Sequence, residues 1–133
     1  MEIESGKSCE GGGEMARILV IDDSPLFRLV LREILTKHGN EVYEAGTVEE
    51  GLRLFRETSP DLVFKDLIME DSNPLEVIKD LMRYSPTAKI VICSTEGQKN
   101  LIYQAIRAGA MDFLIKPFNS NEVTMTVERL LAK

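Results

Sequence analysis

The sequence is short of the features that mark a nucleic-acid or membrane protein. No cluster of Lys and Arg occurs along its 133 residues and the formal net charge is −6, whereas nucleic-acid binding normally shows as a basic patch or stripe. Its longest apolar runs are strand-sized, far below the roughly 20 residues a helix needs to cross a bilayer, and the acidic N-terminus has no signal-peptide pattern. The expectation is a cytoplasmic protein with no nucleic-acid partner and no membrane insertion. Cysteine is scarce: of the two, Cys93 lies in an apolar run and Cys9 in a Gly-rich tail, a poor pair for a structural bridge. Cys93 reads as a small core residue. No Gly-rich phosphate-binding loop occurs either, so a bound nucleotide is not implied.

What is present suits one compact domain. Apolar residues make up 44% and charged residues 29%, close to the averages for soluble chains, and the length can bury a core of its own. Residues 1–14, MEIESGKSCEGGGE, have no hydrophobic period and three consecutive glycines, which predicts a disordered N-terminal extension. Met15 is the expected true start, because Gly-Gly-Gly-Glu before a Met can be the translation of a purine-rich ribosome-binding site. The domain proper is then residues 15–133.

From Met15 strand-like and helix-like patterns alternate. Arg17 to Ile21 is a short β-branched run, and Ser24-Pro25 supplies an N-cap and a first-turn proline for a helix whose apolar face is marked by Leu26, Leu29, Val30, Ile34 and Leu35 up to Gly39. Glu41 to Ala45 is a second strand, and Thr47-Val48-Glu49-Glu50 is a capping box opening a helix with Leu52 and Phe55 inward. Asp61 to Lys65, Lys89 to Cys93 and Met111 to Ile115 read as further strands. Leu75 to Tyr84, Gln98 to Ala108 and Asn119 to Ala132 read as helices. Five βα units in a row predict an α/β fold, a doubly wound parallel sheet with helices on both faces. A TIM barrel would need eight units and a longer chain.

Polar residues sit where the strands end: Asp22 and Asp23 after RILVI, Asp66 after DLVFK, Glu96 just beyond KIVICS, and Lys116 after MDFLI. In an open parallel sheet the carboxyl ends of the strands are where ligands bind, so these distant residues would meet there. Three crowded aspartates need a divalent cation, and hard oxygen donors suit Mg2+. An aspartate attacks a phosphoryl donor only if the charge on nucleophile and phosphate is offset, which Mg2+ and the Lys116 ammonium would do for Asp66. A hydroxyl at Ser94 could donate to the acyl phosphate once formed. Each element has a plainer explanation: an Asp-Asp pair also favours a helix N-terminus, Ser94 could make a local strand-end bond, and Glu96 could be a solvated charge beside the pocket. Their joint placement at successive strand ends is what argues for a site.

Four segments, ILVIDDSPLFRLVLREIL, PDLVFKDLIM, IVICSTEG and AGAMDFLIKPF, carry a resemblance that spans Ala16 to Lys133. In their order and spacing the chain resembles the receiver domain of two-component response regulators, particularly the stand-alone chemotaxis type. The resemblance implies a flavodoxin-like three-layer fold with strand order 2-1-3-4-5. It implies Asp66 as phosphoryl acceptor, Asp22, Asp23 and Asp66 with the Ile68 carbonyl as Mg2+ ligands, Ser94 and Phe113 as switch residues, Lys116 on the phosphoryl group, and a cis Lys116-Pro117 bond. The implied donor is phosphohistidine on a sensor histidine kinase, or a small acyl phosphate. The output is a downstream protein bound by the face of the fourth helix, fifth strand and fifth helix, with the regulator a monomer or a phosphorylation-dependent dimer. Such a protein is not an enzyme beyond catalysing its own phosphorylation and dephosphorylation.

Two departures stand out. The segment after Asp66 usually reads as a Met-Pro turn followed by a Gly, whereas here Met69-Glu70 lacks the proline and Pro74 stands near the glycine's place. Thr95 stands where Ala or Gly is usual, with extra bulk beside Asp66. The alternative function is a receiver-like interaction module that works without phosphorylation. A phosphatase of the haloacid dehalogenase kind fits poorly, because Asp22 and Asp23 are adjacent rather than separated by one residue, with no room for a cap insertion.

Overall fold

The computed structural model describes residues 15–70 and 72–132. The expected disordered extension, residues 1–14, lies outside the described residues. Five strands, β1 (Arg17–Ile21), β2 (Glu41–Ala45), β3 (Leu62–Asp66), β4 (Ile90–Ser94) and β5 (Asp112–Ile115), alternate with five helices, α1 (Pro25–Lys37), α2 (Val48–Thr58), α3 (Pro74–Tyr84), α4 (Lys99–Ala108) and α5 (Ser120–Leu131). The strands form one parallel sheet of order β2-β1-β3-β4-β5, the doubly wound arrangement expected from the alternation. β1 and β2 have the bounds read from sequence, whereas β3 and β4 are each shifted by one residue and β5 starts one residue later, differences set by ladder bonds: β3 and β4 pair as far as Asp66↔Cys93, and β4 and β5 as far as Ser94↔Ile115.

The three central strands are buried on both faces, which is why they are nearly continuous apolar runs rather than alternating ones. Side chains on one face of the sheet (Leu19, Ile21, Val63, Ile90, Ile92) pack with Phe55, Val77, Ile78, Leu81 and Ile102 from α2, α3 and α4. Those on the other (Ile18, Val20, Leu62, Phe64, Val91) pack with Leu31, Leu35, Val123 and Val127 from α1 and α5.

Four of the five helices begin on a residue whose side chain caps them, whereas α4 follows Gln98 with no side-chain cap bond. Ser24 accepts from the Phe27 amide with Pro25 at the first position, and Thr47 accepts from the Glu50 amide. Asn73 caps α3 ahead of Pro74, and Asn119 with Glu122 closes a reciprocal capping box on α5. Pro74 therefore serves as a helix-starting residue. On α1 the inward stripe is Phe27, Leu31, Ile34 and Leu35, while Leu26 and Leu29 are 64% and 50% exposed. This corrects the apolar face inferred from sequence. Phe27, Leu31 and Leu35 recur every fourth residue and Ile34 falls beside them, whereas Leu26 and Leu29 project away from that stripe.

Gly51 of α2 lies against β1 so closely that a Cβ there would stand 2.7 Å from the Ile21 Cδ1. Ile21 is fully buried and has no room to yield. A Gly51→Ala change gains up to about 1 kcal/mol of helix propensity, but overpacking a closed core costs about 1–3 kcal/mol. A net loss of about 1 kcal/mol is expected in urea denaturation, and a stabilised variant would show that the α2–β1 packing can open.

Candidate functional site

The backbone around Asp22 holds its side chain at the end of β1. Its amide donates to the Ala45 carbonyl at 3.0 Å, its carbonyl accepts from the Arg28 guanidinium at 2.6 Å, and Oδ1 accepts from the Ser24 amide at 2.8 Å. Arg28 is itself held by Glu44 at 3.4 Å. Asp22 is 2% exposed, Asp23 is exposed and Asp66 is half-buried. Each of the three offers a carboxylate oxygen within 4.8 Å of the others. Clustered hard oxygen donors, one of them open to solvent, fit an ion such as Mg2+ that keeps part of its water.

Lys116 arrives from the end of β5, where its amide donates to the Ser94 carbonyl at 2.6 Å. Its Nζ lies 2.9 Å from Asp22 Oδ2 and 3.4 Å from Asp66 Oδ1. The same ammonium sits 4.1 Å from the centre of the Phe27 ring, a cation–π contact, and Phe27 packs on Phe118 with ring centres 6.1 Å apart. The Lys116-Pro117 peptide is cis, as the resemblance implies. Burial alone would lower the pKa of Lys116, but the hydrogen bond and charge of Asp22, followed by those of Asp66, outweigh it and raise the pKa. Asp66 is also raised, first by burial and then by the Asp22 charge, with Lys116 only partly opposing. Cys93 beneath them is a buried thiol whose pKa burial pushes far up, so it stays protonated and inert.

Ser94 is buried and its hydroxyl donates to the Thr95 carbonyl at 3.0 Å. Phe113 is 43% exposed and lines an apolar groove between α4 and β5 with Ile102, Tyr103, Ile106 and Ile115. Glu96 borders that groove on the exposed side, while the ion pairs of Lys116 run to Asp22 and Asp66. Thr95 is exposed directly after β4, and Ile68 is 50% exposed two residues after Asp66.

Three contributors escaped the sequence reading. Phe27 and Arg28 looked like helix residues, with nothing to say that one would face Lys116 and the other the Asp22 carbonyl. Lys65 did leave a signal, a lysine set between the apolar run LVF and Asp66, within the span of β3. It is fully buried, and its Nζ donates to the Asp66 carbonyl at 2.6 Å.

Comparison with known proteins agrees with this geometry. Residues 18–128 match the response regulator receiver domain. The chain is 38% identical over 115 residues to the chemotaxis protein CheY of Thermotoga maritima, an alignment covering 86% of this chain and 96% of that protein. Among solved structures, NtrX from Brucella abortus superposes with a TM-score of 0.85 at 30% identity, covering 89% of this chain but 27% of NtrX. The Vibrio cholerae chemotaxis protein CheY4 superposes with a TM-score of 0.82 at 28% identity, covering 89% of this chain and 100% of CheY4. The chain belongs to the response regulator receiver family. Receivers of the CheY type act in phosphorylation-dependent signalling, taking phosphoryl groups from histidine kinases, generally with Mg2+ in an acidic pocket, and binding downstream targets.

The raised pKa of Asp66 has a thermodynamic consequence. Its folded form holds a proton more readily than the unfolded chain, so that contribution to stability is present at acid pH and is lost as pH rises through the folded pKa. Near neutral pH without Mg2+ the ionised carboxylate is a burden on the fold. Asp66→Asn should therefore raise the thermal midpoint of the metal-free protein at neutral pH, with a gain that shrinks as pH falls towards 4. Calorimetry across that range checks it, and a pH-independent difference would contradict the assignment.

Proposed function

We propose that this protein is a single-domain response regulator in which Asp66 accepts a phosphoryl group from a sensor histidine kinase. The observation that carries this reading is the Lys116 ammonium held between Asp22 and Asp66 beside the acidic cluster. Asp22, Asp23, Asp66 and the Ile68 carbonyl are the groups that would hold Mg2+. The ion would neutralise charge on the phosphoryl oxygens.

An Asp66 oxygen attacks phosphorus, the bond from phosphorus to the donor imidazole nitrogen breaks, and an acyl phosphate remains on Asp66. Lys116, already 3.4 Å from Asp66 Oδ1, pairs with the transferred group. Turning the Asp66 carboxylate into an acyl phosphate replaces one negative charge by about two and adds new acceptor oxygens. The Ser94 hydroxyl, bonded to Thr95 in the resting state, turns towards them. Phe113 leaves its exposed position for the space behind Ser94, reshaping the surface of α4, β5 and α5 for a downstream protein or a second copy of the chain. The folded unit is residues 15–133, and a cytoplasmic setting follows from the kinase partner. Among the described residues, no helix is long and apolar enough to cross a membrane.

Incubation with acetyl phosphate and Mg2+ followed by intact mass should show one added phosphoryl group, absent without Mg2+ and absent in Asp66→Asn. A protein that binds Mg2+ but gains nothing, from acetyl phosphate or from a kinase, would support a phosphorylation-independent module instead. On this reading the bulk of Thr95, directly after Ser94 at the end of β4, narrows access to Asp66, so Thr95→Ala should speed both gain and loss of the phosphoryl group in a time course. Equal rates would remove Thr95 as a gate.

A further inference from the structure

Lys65 is a fully buried lysine in the middle of the sheet, next to the proposed nucleophile. It pairs across the ladder with Ile21 on one side and Ile92 on the other, so its stem stands between two apolar strands. Burying an ammonium is costly unless it forms strong hydrogen bonds, and a cation at this place calls for an explanation beyond packing. Methionine or leucine would fill the same volume without the cost.

The bond to Asp66 supplies one. The β1–β3 ladder ends at Ile21↔Lys65, one residue before Asp66, because β1 gives way to Asp22 and the α1 cap. Past that point the Lys65 ammonium donates to the Asp66 carbonyl at 2.6 Å, short enough for a charge-assisted bond. The chain then runs through Leu67, whose amide donates to the Cys93 carbonyl at 2.8 Å, to Ile68. Two bonds from opposite sides thus pin both polar groups of the one peptide unit that joins Asp66 to Leu67, just where the nucleophile and the next backbone ligand are set. Met69-Glu70 brings no proline to restrict the turn, and Pro74 is committed to starting α3.

We infer that Lys65 is a positioning residue of the acceptor site: its ammonium, bonded to the Asp66 carbonyl, sets the backbone course from Asp66 to Ile68 and so aims the groups that would hold the metal. This rests on the proposed phosphoacceptor reading and adds to it an internal strut reaching the loop from the sheet. The neighbours of metal ligands commonly act in this way, by orienting ligands they do not replace.

The test is Lys65→Met, which keeps volume and removes the donor, with Lys65→Leu read in the same way should the first not fold. In the metal-free protein the Asp66 carbonyl carbon should change its NMR shift, reporting the lost bond. The Mg2+ dissociation constant, by calorimetric titration, should rise by about tenfold or more, the usual effect of removing a ligand-orienting neighbour. The acetyl phosphate reaction at subsaturating Mg2+ should slow in proportion and recover as Mg2+ approaches saturation. Lys65→Arg, which keeps a cationic donor, should regain part of the affinity. A merely structural lysine would shift the thermal midpoint and leave Mg2+ affinity at the wild-type value, and that result in the folded variant overturns the inference alone. Wild-type protein that binds no Mg2+ and takes no phosphoryl group would overturn the proposed function, and this inference with it.

Discussion

Negative charge crowded at one edge of a parallel sheet is the constraint on which the rest of this structure depends. Two unit charges about 4 Å apart interact by about 4 kcal/mol in the effective dielectric of a protein surface, and Asp22, Asp23 and Asp66 bring carboxylates to that separation. The fold answers with cations and donors drawn from elements far apart in the chain. Lys116 from β5 takes Asp22 and Asp66, and the Ser24 amide takes the other Asp22 oxygen. Asp23 stays in water. The long stem of Lys116 matters because β4 lies between β5 and β3, and small residues at the end of β4, Cys93 and Ser94, leave room for it.

The two acidic groups at the heart of the cluster are treated differently. Every polar atom of Asp22 is engaged by protein, whereas Asp66 keeps capacity unspent and has its pKa raised by burial and by Asp22. One carboxylate is thus a fixture of the architecture and the other is held in reserve. The proposed function would use that asymmetry, since an acceptor oxygen must be free for a phosphoryl group while its surroundings stay put.

Much of this was legible in the residue pattern because the fold rests on strong periodicities and on caps that tolerate few alternatives. Ser24-Pro25, Thr47 and Asn119 each marked a helix start the structure retains, and five apolar runs separated by helices leave little choice but a parallel sheet. Placing the acidic residues at strand ends followed from the same logic. The inward face of α1 was not legible, since Leu26 and Leu29 are as apolar as the residues that point in, and only the entry angle set at the cap decides between the stripes. Phe27, Arg28 and Lys65 owe their roles to what lies across the sheet or one turn away, which spacing along the chain does not encode. Pro74 looked like a displaced turn residue and is a helix-starting one, because Asn73 before it provides the cap.

The separation of Lys116 from Asp22 by 94 positions matters while the protein is being made. Synthesis runs from the N-terminus, so the acidic pair is made long before its counter-ion, and until then local donors such as the Ser24 amide, water and free cations must meet its charge. The sheet gains that lysine only with β5, the last strand in the chain and the neighbour of β4. A chain ending short of β5 would therefore keep the acidic cluster and lack the ammonium that pairs with Asp22 and Asp66.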